Sequence, residues 1–413
     1  MKPKILFKGF EDDVWISSQF EEIFELIKNN SLSRAELSSE GRIGNIHYGD
    51  VLVKYGECLD TSSDSITYIH NDEIGEDLYR RGALKSGDII FADAAEDNTV
   101  GKCSELICND EEQIVSGLHT IACRPKIEIT KRYLGYYLNS NAYHNQLLPH
   151  IQGTKVSSIS RKAIVTTSIV YPFAQRVQEL IATYFYRLDN LISTSTSRLA
   201  SLKQVKGASL QAMFPQKGET VPKIRFKGFE GEWVITKAAE IFKTVNERNF
   251  SGLPVLSATQ DKGMVTRDSI GYNIFHDKSN ESTYKHIVPG QFVMHLRSFQ
   301  GGFAHSAIEG ICSPAYTIME FKDKEKNHDL YWKYVLTSKR FIKSLEMITY
   351  GIRDGRTISF DEFKEMVFLV PKVEEQQQIA SYFTSLDKQI ALQTQRLEKL
   401  KQIKAACLDK MFV

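Results

Sequence analysis

The chain is written twice, and no other feature of it limits the possible folds as strongly. Pro3-Lys4-Ile5-Leu6-Phe7-Lys8-Gly9-Phe10-Glu11 reappears as Pro222-Lys223-Ile224-Arg225-Phe226-Lys227-Gly228-Phe229-Glu230, and Trp15 and Trp233 follow at nearly the same distance. Gly153-Thr154-Lys155 leads to Ile159-Ser160 as Gly351-Ile352-Arg353 leads to Ile358-Ser359. Each half then reaches a short apolar strand and a proline, Pro172 or Pro371. The longest match comes last. Ala182, Tyr184-Phe185, Leu188-Asp189, Arg198-Leu199, Lys203-Gln204 and Met213-Phe214 align without gaps to Ala380, Tyr382-Phe383, Leu386-Asp387, Arg396-Leu397, Lys401-Gln402 and Met411-Phe412. Self-similarity in a shared register marks one structural unit built twice. Pro215-Gln216-Lys217-Gly218-Glu219-Thr220 lies between the copies and reads as a linker. The expected organisation is a globular segment at 1–173, a helix at 174–214, a linker at 215–221, a second globular segment at 222–372 and a second helix at 373–413.

The two helices read as a matched pair. Ile181, Phe185, Leu188, Ile192, Leu199, Leu202 and Met213 recur at alternating steps of four and three, the pattern of a coiled-coil seam. Ile379, Phe383, Leu386, Ile390, Leu397, Leu400 and Met411 repeat it. Polar residues interrupt both seams at equivalent places, Ser195 with Gln393 and Lys206 with Lys404, a device that fixes register at some cost in packing. Roughly 40 residues make a rod about 60 Å long, whose apolar stripe needs a partner. The shared register makes the other copy the economical partner, and an antiparallel arrangement would relate the halves by a pseudo-twofold axis.

The globular segments carry scattered strand signals at Gly49–Val53, Asp88–Phe91, Gln291–Met294 and Met366–Val370, with amphipathic helices expected near 17–28, 131–148, 236–244 and 328–346. The fold class is therefore α+β: two mixed α/β segments in tandem, each followed by a long helix, the two helices forming an antiparallel coiled coil.

Composition excludes more than it identifies. A chain of 413 residues with 42% hydrophobic and 25% charged residues is ordinary for a globular protein, and a net charge of +1 shows no overall basic character. The six cysteines include one close pair, Cys103 and Cys108, without the second pair a zinc site needs, so reduced thiols and a cytoplasmic setting are expected. The N-terminal residues lack the apolar core of a signal peptide, and no apolar run reaches the ~18 residues of a membrane span.

Catalytic signatures are missing. None of the ten prolines adjoins another, which removes the Pro-Pro-aromatic motif of amino-methyltransferases, and Gly101-Lys102 runs into Cys103 rather than completing a phosphate loop. The ten histidines are dispersed. Asp354, Glu362 and Lys364 have the spacing of a Mg²⁺ nuclease site, but Ser359-Phe360-Asp361-Glu362 reads equally as a helix N-cap.

Side chains suited to DNA do stand in loops. Arg297-Ser298-Phe299-Gln300 is followed by two glycines that permit close approach, and Arg and Gln make paired hydrogen bonds to guanine and adenine edges. Lys155, and Arg353 with Arg356, occupy corresponding Gly-led loops in the two halves. Ser157, Arg248 and Asn249 complete the set of candidate DNA-binding residues.

The helix starts carry a family likeness. Pro371-Lys372-Val373-Glu374-Glu375-Gln376-Gln377-Gln378-Ile379-Ala380, continuing into Tyr382-Phe383 and Leu386-Asp387 and ending in Arg396-Leu397-Glu398-Lys399-Leu400-Lys401, resembles the specificity subunits of Type I restriction–modification enzymes. The likeness covers the order segment, helix, segment, helix. The first copy departs from it at Pro172-Phe173-Ala174-Gln175-Arg176. The resemblance implies that each globular segment is a target-recognition domain for one half of a split, asymmetric site on double-stranded DNA. It further implies a subunit with no catalytic residue, metal or cofactor of its own. Two modification subunits would dock on the helices, bind S-adenosylmethionine and methylate adenine, and motor–nuclease restriction subunits would cut unmodified DNA. The rival readings are a bivalent protein-binding scaffold and a self-sufficient Mg²⁺-dependent nuclease.

Overall fold

A computed structural model describes residues 2–153, 155–270, 278–295, 297–346 and 358–413. The chain divides into two compact units, Met1–Thr196 with Gln395–Val413, and Ser197–Thr394. The division falls within the long helices, so each unit holds one globular segment and a portion of both helices.

In the first unit the central sheet has the order Phe24–Ile27, Thr120–Pro125, Ile89–Ala92, Cys103–Ile107, Cys58–Asp60. Its pairings are antiparallel except the last, which is parallel. Ile89-Ile90-Phe91-Ala92 is buried throughout, as an uninterrupted apolar run in a central strand should be. Its period-two geometry splits these residues between two cores. Ile89 and Phe91 face Tyr133–Leu138, the start of the first long helix and the end of the second; Ile90 and Ala92 face Val51, Tyr55 and Leu59. A second sheet, Ile114–Ser116, Gly44–Ile46, Thr67–Ile69, Leu37–Ser38, lies beside it in the same unit.

The second unit repeats this plan with one strand fewer in its central sheet. Its central sheet runs Phe242–Val245, Thr317–Phe321, Phe292–Met294, Ala304–His305, and its other sheet runs Gly263–Thr266, Val255–Thr259, Gly310–Cys312, Lys285–Ile287. Both units contain the same parallel pairing, Ile114–Ser116 on Gly44–Ile46 and Gly310–Cys312 on Val255–Thr259. Both also close with a two-stranded antiparallel ribbon, Trp15–Gln19 with Ser168–Pro172 and Val234–Lys237 with Val367–Val370. The repeat in sequence is thus a repeat in topology.

Three local expectations fail. Tyr48–Val53 is a helix, not a strand: the His47 side chain accepts the Gly49 N–H, Asp50 pairs with Arg34, and Val51 and Tyr55 are buried four residues apart while Val53 is exposed. The stretch near 17–28 is not one helix. Trp15–Gln19 and Phe24–Ile27 pair with distant strands, leaving a single helical turn at Phe20–Ile23. The stretch 236–244 repeats that correction at Val234–Lys237, Ala238–Ile241 and Phe242–Val245. In both cases non-local pairing overrides a local amphipathic pattern. The helices near 131–148 and 328–346 are present, each divided, as Tyr133–Leu138 with Asn141–Leu147 and as Asp329–Leu336 with Lys339–Glu346.

The long helices span Gln175–Ala212 and Val373–Lys410. In the first unit Tyr184 meets Cys407 at 3.4 Å, and Lys404 bonds Asp189 at 2.6 Å. In the second unit Lys206 bonds Asp387 at 2.5 Å and Ser209 meets Tyr382 at 3.0 Å. Within each unit one residue number rises as the other falls, so the pairing is antiparallel. Ile181, Phe185, Leu188, Leu199, Ile379, Phe383, Leu386 and Leu397 are buried, and Ile192, Leu202, Ile390 and Leu400 are partly so. The polar seam positions have specific partners. Lys404 reaches Asp189, which accepts from the Tyr136 hydroxyl at 2.7 Å, and Lys206 reaches Asp387, which accepts from Tyr334 at 2.8 Å.

Candidate nucleic-acid interface

Strand register places the candidate loops of each unit at one end of its central sheet. In the second unit Val245, Ile318 and Val293 lie in one row, so the loops beginning at Asn246 and His295 leave the sheet on the side where Tyr316 enters it. In the first unit Ile27, Ala122 and Ile90 form the matching row, and Lys28, Asp93 and His119 stand at the matching end.

The Arg297 loop is tightly held. The Ser298 hydroxyl accepts the His295 N–H at 2.7 Å, the Ser298 N–H donates to the His295 carbonyl, and Gly302 N–H donates to the Ser298 carbonyl. The Arg297 N–H donates to His295 Nδ1 at 3.3 Å. Burial pushes the His295 imidazole down to about 4, so it stays neutral and can accept that bond. Gly302 adopts φ +80°, and a side chain there would collide with the Leu336 carbonyl. Of the residues named from sequence in this loop, Arg297 and Gln300 are exposed, whereas Ser298 is 1% exposed and holds the turn instead of presenting its hydroxyl.

Gln300 also has a partner that sequence reasoning missed. Gln260, at the tip of the hairpin joining Val255–Thr259 to Gly263–Thr266, donates from Nε2 to Gln300 Oε1 at 3.0 Å. The approach is close enough that a Cβ on Gly301 would stand 2.9 Å from Gln260 Cγ. The sequence signal is a polar tip, Gln260-Asp261-Lys262, followed by a glycine; in the structure Gly263 has φ +73°. Arg248 and Asn249 lie on the loop at the same sheet end. Asn249 has φ +70° and donates its N–H to the Ser282 carbonyl, and Arg248 is exposed with Nε on Asn246 Oδ1 at 3.2 Å. Arg353 and Arg356 lie outside the described residues.

The first unit arms the same end differently. Lys155 is exposed on a hairpin closed by two backbone bonds between Gln152 and Ser158, and Ser157 is half-buried opposite Ala95. The hairpin adjoins Asp93, whose carbonyl accepts the Ile159 N–H and whose own N–H donates to the His119 carbonyl. His119, half exposed with φ +53°, places Nδ1 3.1 Å from the Asp93 carboxylate and its ring edge-on to Tyr48. Asn29 bonds the neighbouring Gly117 carbonyl and accepts from Arg161 at 2.5 Å. His119, Asn29 and Arg161 carry no local motif; only the fold gathers them.

The nuclease-like set is otherwise engaged. Glu362 accepts from the Ser359 N–H at 3.1 Å and hydroxyl at 2.9 Å in a capping box, Lys364 pairs with Asp361 at 2.7 Å, and Asp354 lies outside the described residues. Among the described residues no group of three His, Cys, Asp or Glu side chains is disposed to hold a metal ion. The cysteines are free thiols, and no helix among the described residues is long and apolar enough to cross a membrane.

Residues 230–402 match the family model described as Type I restriction modification DNA specificity domain. The crystal structure of a Type-I restriction-modification system S subunit from M. genitalium is similar over 100% of this chain and 99% of that one, with a TM-score of 0.61 at 12% identity. A chain from a structure addressing complex assembly and conformational transition of the type I R-M system is similar over 99% of each chain, with a TM-score of 0.50 at 16% identity. No curated protein sequence matches the chain. The second copy thus matches the Type I restriction modification DNA specificity domain, and the fold of a solved S subunit extends along the whole length of the chain.

Proposed function

We propose that the chain reads a bipartite, asymmetric site on double-stranded DNA, one half-site per unit, as the non-catalytic specificity subunit of a Type I restriction–modification enzyme. One observation carries this reading: the same sheet end is built twice on one topology and fitted with different side chains. Arg297, Gln300 and Gln260 stand there in the second unit, and Lys155, His119 and Asp93 in the first. Scaffolds of one plan with unlike edges suit a site whose halves differ.

In this reading Arg297 and Gln300 address base edges, and Lys155 and Arg248 meet phosphates, which position the protein without specifying sequence. Catalysis belongs to partners. Two modification subunits dock on the chain, bind S-adenosylmethionine and methylate adenine, and motor–nuclease subunits cut unmodified DNA. The complex works in the cytoplasm, a setting supported by the free thiols.

The test is to map methylated adenines in cells expressing the modification subunit with and without this chain. A split, asymmetric motif present only with the chain is the expected result. A soluble complex that yields no motif would refute the DNA-reading role.

A further inference from the structure

Resting on the DNA-reading role above, we infer that the second unit specifies an A·T base pair through Gln300, with Gln260 as the residue that orients its amide. The amide of Gln300 is not a free rotor. Its Oε1 accepts the Gln260 N–H at 3.0 Å, which commits the oxygen to the side facing Gln260 and turns both Nε2 hydrogens away from that contact. The oxygen keeps one lone pair, since a carbonyl accepts two bonds. Gln300 can therefore present a donor beside an acceptor.

That pair of groups matches one base. In the major groove adenine offers N7 as acceptor and N6–H as donor, whereas guanine offers two acceptors, N7 and O6. Against guanine the oxygen of Gln300 would face another oxygen. Cytosine offers only a donor, and thymine an acceptor beside a methyl group.

Both loops are held where this reading needs them. The Gln300 turn is closed by bonds from Gln300 N–H to the Arg297 carbonyl and from Gly302 N–H to the Ser298 carbonyl. The Gln260 hairpin is closed by Thr259, whose hydroxyl accepts the Lys262 N–H and donates to the Gly263 carbonyl. Gly301 lets the loops approach, because any side chain there would strike Gln260. Gln260 and Gln300 are both exposed. Gln260 is a positioning residue in this scheme: removing it frees the amide to rotate without removing the groups that read the base.

The experiment maps methylated adenines in cells carrying the modification subunit and either the wild-type chain, Gln300→Ala, Gln300→Glu or Gln260→Ala. Gln300→Glu keeps the side chain's shape and removes its donor. Gln300→Ala and Gln300→Glu are expected to make one A·T position of one half-site degenerate, with preference there falling about tenfold to a hundredfold. Gln260→Ala should loosen that same position by a smaller factor. The other half-site should be read as before in every variant, which also shows that the chain is folded. A wild-type motif that survives both Gln300 variants overturns the assignment and leaves the DNA-reading role standing, as does loosening at a G·C position. Absence of any wild-type motif overturns both.

Discussion

Lys404 offers the sharpest test of how the helix seam is held. Its ammonium lies 2.5 Å from Glu57 and 2.6 Å from Asp189, and its side chain is 17% exposed. Lys404→Met keeps the aliphatic stem but leaves two carboxylates facing each other with no counter-charge. Breaking a buried pair by deleting one partner costs about 3–5 kcal/mol. Asp189 remains 32% exposed and can recruit some water, so the lower end, about 3 kcal/mol, is expected. Lys206, the equivalent residue, sits 28% exposed against a single carboxylate, Asp387, itself 34% exposed, so Lys206→Met should cost less, about 1 kcal/mol. Replacing all three charges, Lys404→Met with Glu57→Gln and Asp189→Asn, should recover most of the loss, since the penalty comes from the orphaned charges. A chain with two units need not unfold in one step. Hydrogen exchange of peptides within the first unit, alongside thermal unfolding, therefore reads the effect locally. A shift of roughly 6–12 °C in that unit's transition corresponds to the expected loss. Equal losses for Lys404→Met and Lys206→Met, or no recovery in the triple variant, would refute the argument.

Four further outcomes follow from particular residues. Burial raises the Glu105 carboxyl from 4.5 to about 7 against the backbone N–H groups of Arg132 and Gly135, so the native state holds this proton to higher pH than the unfolded chain does. Its contribution to stability is thus present below about pH 4.5 and lost as pH rises through about 7. Gln cannot ionise, so the stability difference between Glu105→Gln and wild type should move in favour of the variant across that window; a pH-independent difference in denaturation midpoints would contradict this. Gly302→Ala forces a side chain into a left-handed position against the Leu336 carbonyl and should cost about 2 kcal/mol or more. Methylation mapping should show the second unit's half-site blurred and the other intact; two intact half-sites would argue that the Arg297 turn does not read DNA. Arg297→Ala should relax one position of that half-site, whereas Lys155→Ala should weaken binding evenly across sequences and lower the salt slope by about one. An altered recognition motif for Lys155→Ala would reverse its assignment as a phosphate contact.

Much of this molecule was legible in the order of its residues. The duplicated strings, the four–three spacing of Ile181 to Leu202 and Ile379 to Leu400, and the polar steps at Lys206 and Lys404 determine the tandem plan and the seam, because a periodic stripe must be buried against another. The all-apolar run Ile89–Ala92 likewise reads directly as a central strand. Other features could not be read from local pattern. Phe20–Phe24 looks like part of one amphipathic helix, and Gly49–Val53 looks like a strand. Distant strands, Ser168–Pro172 and Thr120–Pro125, decide the first, and the His47 cap, the Arg34–Asp50 pair and the burial of Val51 favour a helix in the second. The candidate interface divides the same way. Residue chemistry suggested Arg297 and Gln300, but only the tertiary structure buries Ser298, sets Gln260 against Gln300, and brings His119 to Asp93 beside the Lys155 hairpin. Helical and strand periodicities are written into neighbouring residues by backbone geometry. The meeting of loops depends on sheet register and on glycines such as Gly301, whose missing Cβ becomes informative only once the opposing chain is in place.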